Sequence, residues 1–354
     1  MKICLGIDAG GTFTDVAAVD LDSGRVLEKA KEPTSRPSPA YGIAAAIQRI
    51  GTNYRKQAKL VALSTTLATN AIVEGKGQEV GLFVMPPYGR LEPDNFTHFP
   101  KAVIEGQMDI DGTELVPINE RQIRELARRF IGNYHVSAFA VAGFAGHVNP
   151  SHELEVKRII HDETGLPVTC GHDISEGVNY RIRAETAALN AKIMPYIVNF
   201  MDIIRQTLAG YSINAPIMIV KSDGSLMALK AALEKPVHTI LSGPAASVAG
   251  ACYLADLKDA VIIDIGGTTS DIALVKNGEV PVCREGAIVG GWHTNIAGVA
   301  MRTCGLGGDS AIRFINGNLQ IGPQRIVPAG MLAREYGNIA VSYTHLTLPT
   351  IYSV

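Results

Sequence analysis

The chain predicts an α/β fold in two domains, arranged around a duplicated strand–turn–strand unit. Three observations carry this expectation. Strand-like apolar runs alternate with amphipathic helical segments through much of the first half. The segment at residues 3–19 returns at residues 259–275 with the same residues at its turn. Hydrophobic residues make up 47% of the 354, enough to bury a large core at a length of two to three ordinary domains.

Ile3 to Ile7 is continuously apolar, as a buried strand should be, and Val16 to Val19 is a second strand leading to the turn Asp22-Ser23-Gly24. Arg25 to Glu32 reads as a third strand. Ser38 should cap a helix with Pro39 at its first position and Ile43, Ile47 and Ile50 as its apolar stripe. From residue 58 to about 178, strands (Val80 to Met85, Val136 to Phe144, Leu166 to Cys170) alternate with helices (Asn119 to Phe130, and one capped by Ser151), which means a largely parallel sheet with covering helices. Residues 180–209 read as a long helical stretch that Pro195 kinks or breaks. Pro216 to Val220 is a strand, and a short strand is expected at His238 to Leu241. The small-residue helix Ala245 to Leu254 follows, then strands at Ala260 to Ile265 and Ser270 to Val275 and a hairpin at Asn277-Gly278.

Laid over each other, the two copies share eight of seventeen positions: Ile7, Asp8, Gly10, Gly11, Thr12, Asp15, Ala17 and Val19 match Ile263, Asp264, Gly266, Gly267, Thr268, Asp271, Ala273 and Val275. Thr14 faces Ser270, a close substitution, and Thr269 completes the second turn. The residue types suit a phosphate. A strand ends in a carboxylate that can hold a metal ion through water. Two glycines then let backbone N–H groups approach phosphate oxygens, and a Thr hydroxyl adds a donor. Two such hairpins facing each other would clasp a nucleotide's phosphates, with Mg²⁺ between carboxylates and phosphates. Read alone, either copy has a plain tight turn as its lesser, competing explanation; the duplication in matched strand context all but removes it.

Other classes are excluded. There is no G-x-x-x-x-G-K-[ST] loop, and no G-x-G-x-x-G follows a strand. A net charge of −2 gives no electrostatic case for nucleic acid or an anionic membrane. No run approaches eighteen apolar residues. Five scattered cysteines without a C-x-x-C pair suit free thiols in a reducing cytosol and argue against a cysteine-held cluster or structural zinc site, so a cytoplasmic protein is expected.

The two Asp-x-Gly-Gly-Thr turns resemble the phosphate motifs of the actin/sugar-kinase/heat-shock ATPase superfamily, the actin-like (ribonuclease H-like) fold. The small-residue helix from Ser242 to Ala251, with Gly243 near its start, is similar to that superfamily's connecting helix. Within it, Thr65-Thr66, Thr69-Asn70, His152-Glu153, Tyr180-Arg181 and Leu241-Ser-Gly-Pro-Ala245 look like the A-type chain of the hydantoinase/oxoprolinase family. That resemblance implies ATP and Mg²⁺ as cofactors and ATP-dependent ring opening of a cyclic amide, by phosphorylation of the amide oxygen. It implies Asp8 and Asp264 as the catalytic, metal-holding carboxylates. Gly10, Gly11, Thr12, Thr14, Gly243, Gly266, Gly267, Thr268 and Thr269 would be nucleotide contacts, and a B-type subunit the partner. Thr65, Thr66, Asn70 and Arg181 are candidate substrate contacts. A small-molecule kinase, an ATP-dependent carboxylase subunit and a non-enzymatic ATP-driven switch are the alternatives. The expected domains are 1–178 (N-terminal, first phosphate motif) and 179–341 (connecting helix, second phosphate motif). The tail 342–354 lacks a family counterpart and resembles read-through into foreign sequence, so the second domain is expected to be incomplete.

Blander readings stand beside these. His147, His152 and Glu153 have no standard metal-site spacing and suit capping or packing. Arg181, Arg183 and Glu185 could touch substrate or form a solvated charged face. Cys304 reads as a small buried hydrophobe rather than a nucleophile.

Overall fold

The computed structural model describes residues 2–35, 39–87, 96–175, 177–256, 258–267, 269–284, 286–315 and 317–327. Ser38, Thr268 and the tail 342–354 lie outside the described residues. Two compact units form. The first comprises Met1–Ser242 together with Cys283–Gly298, and the second comprises Gly243–Val282 and the described residues from Val299 onward.

The first unit begins with β1 (Ile3–Ala9), β2 (Phe13–Asp20) and β3 (Val26–Pro33), an antiparallel meander. After α1 (Pro39–Arg49) and α2 (Thr52–Gln57), β4 (Ala58–Thr65) returns parallel to β1, and α3 (Leu67–Val73) follows. A second sheet is started by β5 (Val80–Met85) and β6 (Lys101–Val103), with the small ribbon β7 (Gln107–Met108) and β8 (Glu114–Val116) beyond. Then come α4 (Glu120–Tyr134), β9 (Ala138–Gly143), α5 (Ser151–Thr164), β10 (Val168–Cys170), α6 (Gly171–Ile174), α7 (Tyr180–Gly210), β11 (Ile217–Val220), β12 (Leu226–Ala228) and α8 (Leu229–Glu234).

The first sheet has the order β12-β11-β4-β1-β2-β3, parallel across β11, β4 and β1. The second, β10-β9-β5-β6, is parallel throughout. Period-two alternation splits β5 and β9 between two cores. Leu82, Val84, Ala138, Ala140 and Ala142 join the large core with the first sheet, α1, α3 and α7. Phe83, Met85, Phe139 and Val141 pack with α4 and α5.

Local chemistry explains the helix ends. Asn119 caps α4 by accepting the Gln122 N–H at 3.1 Å, and His135 closes it in the left-handed conformation. Asn179 caps α7 in the same manner. The break expected at Pro195 does not occur, since α7 runs through it. The missing N–H and ring clash cost about 3 kcal/mol. Beyond the proline, Ile197, Phe200, Met201, Ile204 and Leu208 are all buried, at about 1.5–3 kcal/mol each, so packing overrides the local penalty. The strand expected at His238 to Leu241 is a 3₁₀ turn, Pro236–Thr239. Leu241 beyond it is left-handed (φ 58°), its N–H bonded to Thr69 Oγ1 at 2.9 Å.

The second unit takes up the chain along α9 (Ser242–Ala255), which starts on the last residue of the first unit. β13 (Ala260–Ile265) and β14 (Ser270–Val275) form the second hairpin. Four short strands follow, β15 (Val282–Cys283), β16 (Ile288–Val289), β17 (Trp292–His293) and β18 (Gly298–Val299), then β19 (Met301–Cys304), β20 (Ser310–Ile315) and β21 (Asn318–Arg325). β14 pairs with both β13 and β19. Residues 283–298 return to the first unit, where Val289 and Ile296 are buried in its large core and Trp292 packs against it.

Candidate functional site

The two hairpins repeat each other in geometry as well as in sequence. Asp8 pairs with Asp15 across the first, and Asp264 with Asp271 across the second. Each turn is closed by its first glycine: Gly10 N–H donates to Phe13 O at 3.1 Å, and Gly266 N–H to Thr269 O at 2.9 Å. A Cβ on Gly10 would stand 2.9 Å from Phe13 O, and one on Gly266 would stand 3.2 Å from Thr269 O. The first glycine of each pair is therefore required by the close approach of the turn. Its N–H is already engaged, so the loop's donors for a phosphate begin at the second glycine, Gly11 or Gly267. Gly11 and Gly266 are exposed and Gly267 is half-buried, so both turns present backbone to a ligand.

Each turn is braced from behind by a different segment. In the first, Thr34 donates its hydroxyl to Gly10 O (2.8 Å) and its N–H to Thr12 O (2.8 Å). Thr14 is fully buried with its hydroxyl 3.2 Å from that of Thr34, so it supports the turn from within. In the second, Gly308 N–H reaches Gly266 O (2.9 Å) and Asp309 N–H reaches Gly267 O (2.7 Å). Gly307 has to be glycine there, because a Cβ would lie 2.5 Å from Gly267 O.

Asp8 is half-buried, and Ser64 Oγ at the end of β4 donates to its Oδ1 at 2.7 Å. Asp264 is half-buried on β13. Opposite it, Asp271 is buried and accepts the Thr303 hydroxyl at 2.5 Å; burial and then the nearby Asp264 charge push its carboxyl up, the Thr303 bond opposing them. Asp15, the counterpart of Asp271, pairs instead with Lys31 at 3.0 Å. A carboxylate at a strand end beside exposed glycine backbone is a donor set that suits a hydrated divalent cation and phosphate oxygens.

The remaining predicted residues divide. Asn70 borders the first loop, its Nδ2 3.6 Å from where a Gly11 Cβ would be, and it bonds Thr66 Oγ1 at 3.3 Å. Thr65 is buried: its hydroxyl accepts the Leu67 N–H at 3.1 Å, and its own N–H and carbonyl are bracketed by Ser242 Oγ at 3.3 and 3.0 Å. Gly243 is buried in the first turn of α9. Arg181 is exposed at the start of α7.

Arg183 and Glu185, by contrast, are not a solvated face, since their relative exposures are 0% and 7%. Arg183 donates to the carbonyls of Gly177, Gly143 and Phe144. Burial lowers its pKa while the charge of Glu153 acts to raise it. Glu185 accepts the N–H and hydroxyl of Thr97. His147, His152 and Glu153 do not converge. His147 is exposed, His152 pairs with Glu114 at 2.7 Å, and Glu153 turns inward. Ser64 and Thr34, which hold the first turn, escaped sequence reasoning. The available signal for Ser64 was its place next to Thr65 at the end of a strand.

An α/β architecture with one glycine-turn hairpin in each of two units defines a protein of the actin-like ATPase fold. An acetone carboxylase structure matches with a TM-score of 0.78 at 24% identity, covering 92% of this chain and 51% of that one. The ATP-dependent caprolactamase of Pseudomonas jessenii matches with a TM-score of 0.72 at 26% identity, covering 92% and 51%. The chain belongs to the hydantoinase/oxoprolinase family: the N-terminal region of that family matches residues 4–164, and the hydantoinase/oxoprolinase region matches residues 183–342. By sequence, the caprolactamase alpha subunit of the same organism is 27% identical over 90% of this chain and 50% of its own length. The chain thus spans about half the length of the curated relatives it matches first. Among the described residues, no helix is long and apolar enough to cross a membrane.

Proposed function

We propose that this chain serves in ATP-dependent ring opening of a cyclic amide, a lactam or hydantoin-like ring, as an A-type subunit working with a B-type partner. The observation that carries the reading is the duplicated hairpin, with the same Asp–Asp register and the same glycine-closed turn in each unit. When bound, Mg²⁺-ATP would supply the γ-phosphoryl group; carried on the amide oxygen, it makes the carbonyl carbon an electrophile for water.

The chain's own residues bind and orient. Asp8, held by Ser64 in the first unit, and Asp264 in the second would each offer a carboxylate to a hydrated cation. The backbone N–H groups of Gly11 and Thr12, and those of Gly267 and Thr269, would donate to phosphate oxygens. Asn70, at the rim of the first loop, is the nearest of the predicted substrate contacts to that backbone. Thr14 and Thr65 hold the scaffold, with hydroxyls committed to Thr34 and to Leu67 N–H. Membership of the hydantoinase/oxoprolinase family and the likeness to a caprolactamase alpha subunit support the substrate class.

The test is ATP turnover by the chain with its partner subunit, measured against a panel of lactams, hydantoins and 5-oxoproline, with the ring-opened acid followed directly. Turnover that depends on one cyclic amide and yields its open form is expected. A stable phosphorylated product would make the protein a kinase, and carbon dioxide-dependent turnover on a ketone would make it a carboxylase subunit; either outcome ends the ring-opening proposal.

A further inference from the structure

We propose that Glu153, Cys170 and His172 form a mixed oxygen–sulfur–nitrogen site for a borderline transition-metal ion, with Zn²⁺ the type, at the carboxyl edge of the second sheet. The three residues come from the start of α5, the end of β10 and the start of α6, and one ligand atom of each lies within 4.8 Å of the other two. A tetrahedral ion with bonds near 2.0–2.3 Å needs ligand atoms roughly 3.3–3.8 Å apart. Small side-chain adjustments reach that spacing from the contact now made, His172 Nδ1 to Glu153 Oε2 at 2.7 Å.

The surroundings have the form of a metal site's outer layer. Glu153 Oε1 is fixed by the Gly143 N–H (2.8 Å) and Oε2 by the His172 N–H (2.9 Å), so the carboxylate is aimed before any ion arrives. Gly146 makes room for it, since a Cβ there would meet Oε1 at 2.1 Å. The far nitrogen of His172 stands 3.6 Å from Asp173 Oδ1, an arrangement that orients a ligating imidazole. Cys170 Sγ has only a long contact, 3.6 Å, to the Glu153 carbonyl. Beside Glu153 is a cavity of about 10 Å³, the size of one water, bordered by Met85, Gly106, Gly146 and His152; Cys170 and His172 do not line it.

The ligands gather beyond the carboxyl ends of β9 and β10, next to the point between β5 and β9 where the strand order reverses. Charge also balances. Binding sends the thiol proton to solvent, and the His172 ring presents an unprotonated Nδ1 to the ion. The carboxylate, thiolate and dication then sum to zero, and Arg183 keeps its three carbonyl acceptors. Without an ion the thiol is inert: burial first, then the Glu153 charge, push it up to about 12.

The test uses the full chain, stripped with a chelator and titrated with Co²⁺ and then Zn²⁺. One equivalent should bind, with a thiolate-to-cobalt charge-transfer band that Zn²⁺ abolishes. Cys170→Ser should weaken binding by at least about 100-fold, whereas Cys304→Ser should leave it unchanged. If Cys170→Ser fails to fold, His172→Gln, altered at a residue on the cluster's outer side, makes the same measurement. The absence of stoichiometric binding by the folded parent, or binding that survives loss of a ligand, would overturn the proposal and leave Glu153 as a hydrogen-bonding bracket only.

Discussion

Replacing the first glycine of each turn by alanine offers a matched experiment within one chain. In Gly10→Ala the new Cβ stands 2.9 Å from Phe13 O, and in Gly266→Ala it stands 3.2 Å from Thr269 O. Both obstacles are backbone oxygens that cannot rotate aside, and each is the acceptor of the bond closing its turn. Neither glycine has a positive φ, so the effect is steric. Overpacking of this kind costs about 1–3 kcal/mol. The closer contact belongs at the upper part of that range and the looser at about 1 kcal/mol or below. Expressed at binding, about 1–3 kcal/mol is roughly a 5- to 150-fold loss of nucleotide affinity. Titration calorimetry with Mg-ATP, alongside denaturant unfolding, separates the two routes by which the strain can appear. If Gly10→Ala binds and unfolds like the parent, or Gly266→Ala is the more damaging, the turn geometry is not what the glycines provide.

Further outcomes follow from the same geometry. Asp8→Ala or Asp264→Ala should reduce Mg²⁺-dependent ATP turnover by about 10²-fold or more while circular dichroism stays that of the parent; unchanged turnover in both would remove the assignment. Glu153→Ala strips the acceptor from one buried donor, Gly143 N–H, and two part-buried ones, His172 N–H and Nδ1, and should cost about 2–3 kcal/mol in urea unfolding. Asp271 has a folded-state pKa above its unfolded value, so its stabilising contribution is complete below the ordinary carboxylate range and is lost as pH rises through the raised value. Asp271→Asn should therefore gain on the parent in thermal unfolding above that range and lose the advantage in acid. Ile7, 2% exposed, and its repeat partner Ile263, 56% exposed, should respond differently to alanine: about 2–5 kcal/mol for Ile7→Ala and under about 0.5 kcal/mol for Ile263→Ala.

The sequence repeat located both hairpins, the second to the residue and the first with strands two to three residues short at the turn, because strand, turn and carboxylate are encoded within one short stretch. What supports the turns was illegible for the opposite reason. Ser64 is 56 positions from Asp8, and Thr34 is 24 from Gly10, and no local pattern links a hydroxyl to a carboxylate on a neighbouring strand. Periodicity also misjudged Arg183 and Glu185. Charged residues at the start of a helix read as solvent-facing, yet here carbonyl oxygens take up the two terminal nitrogens of Arg183, leaving its Nε unpartnered, and the Thr97 N–H and hydroxyl satisfy Glu185. His238 to Leu241 looked like a strand because its residues are β-formers, but Pro236 at the head of the 3₁₀ turn and the left-handed Leu241 fixed the backbone otherwise. The Glu153–Cys170–His172 grouping draws on three elements and matches no spacing rule.

The return of residues 283–298 to the first unit governs how the molecule can be made. That unit is discontinuous in sequence, so a ribosome that has reached Ser242 has not yet delivered Val289, Trp292 or Ile296, which its core requires. Burial of Val289 and Ile296 in that core must wait until the second hairpin has been synthesised and the chain has come back. A fragment ending at residue 242 would emerge with an open apolar seam, and adding residues 283–298 as a separate peptide should restore its melting cooperativity. Folding order in this chain is thus set by connectivity, with the earlier residues depending on the later ones.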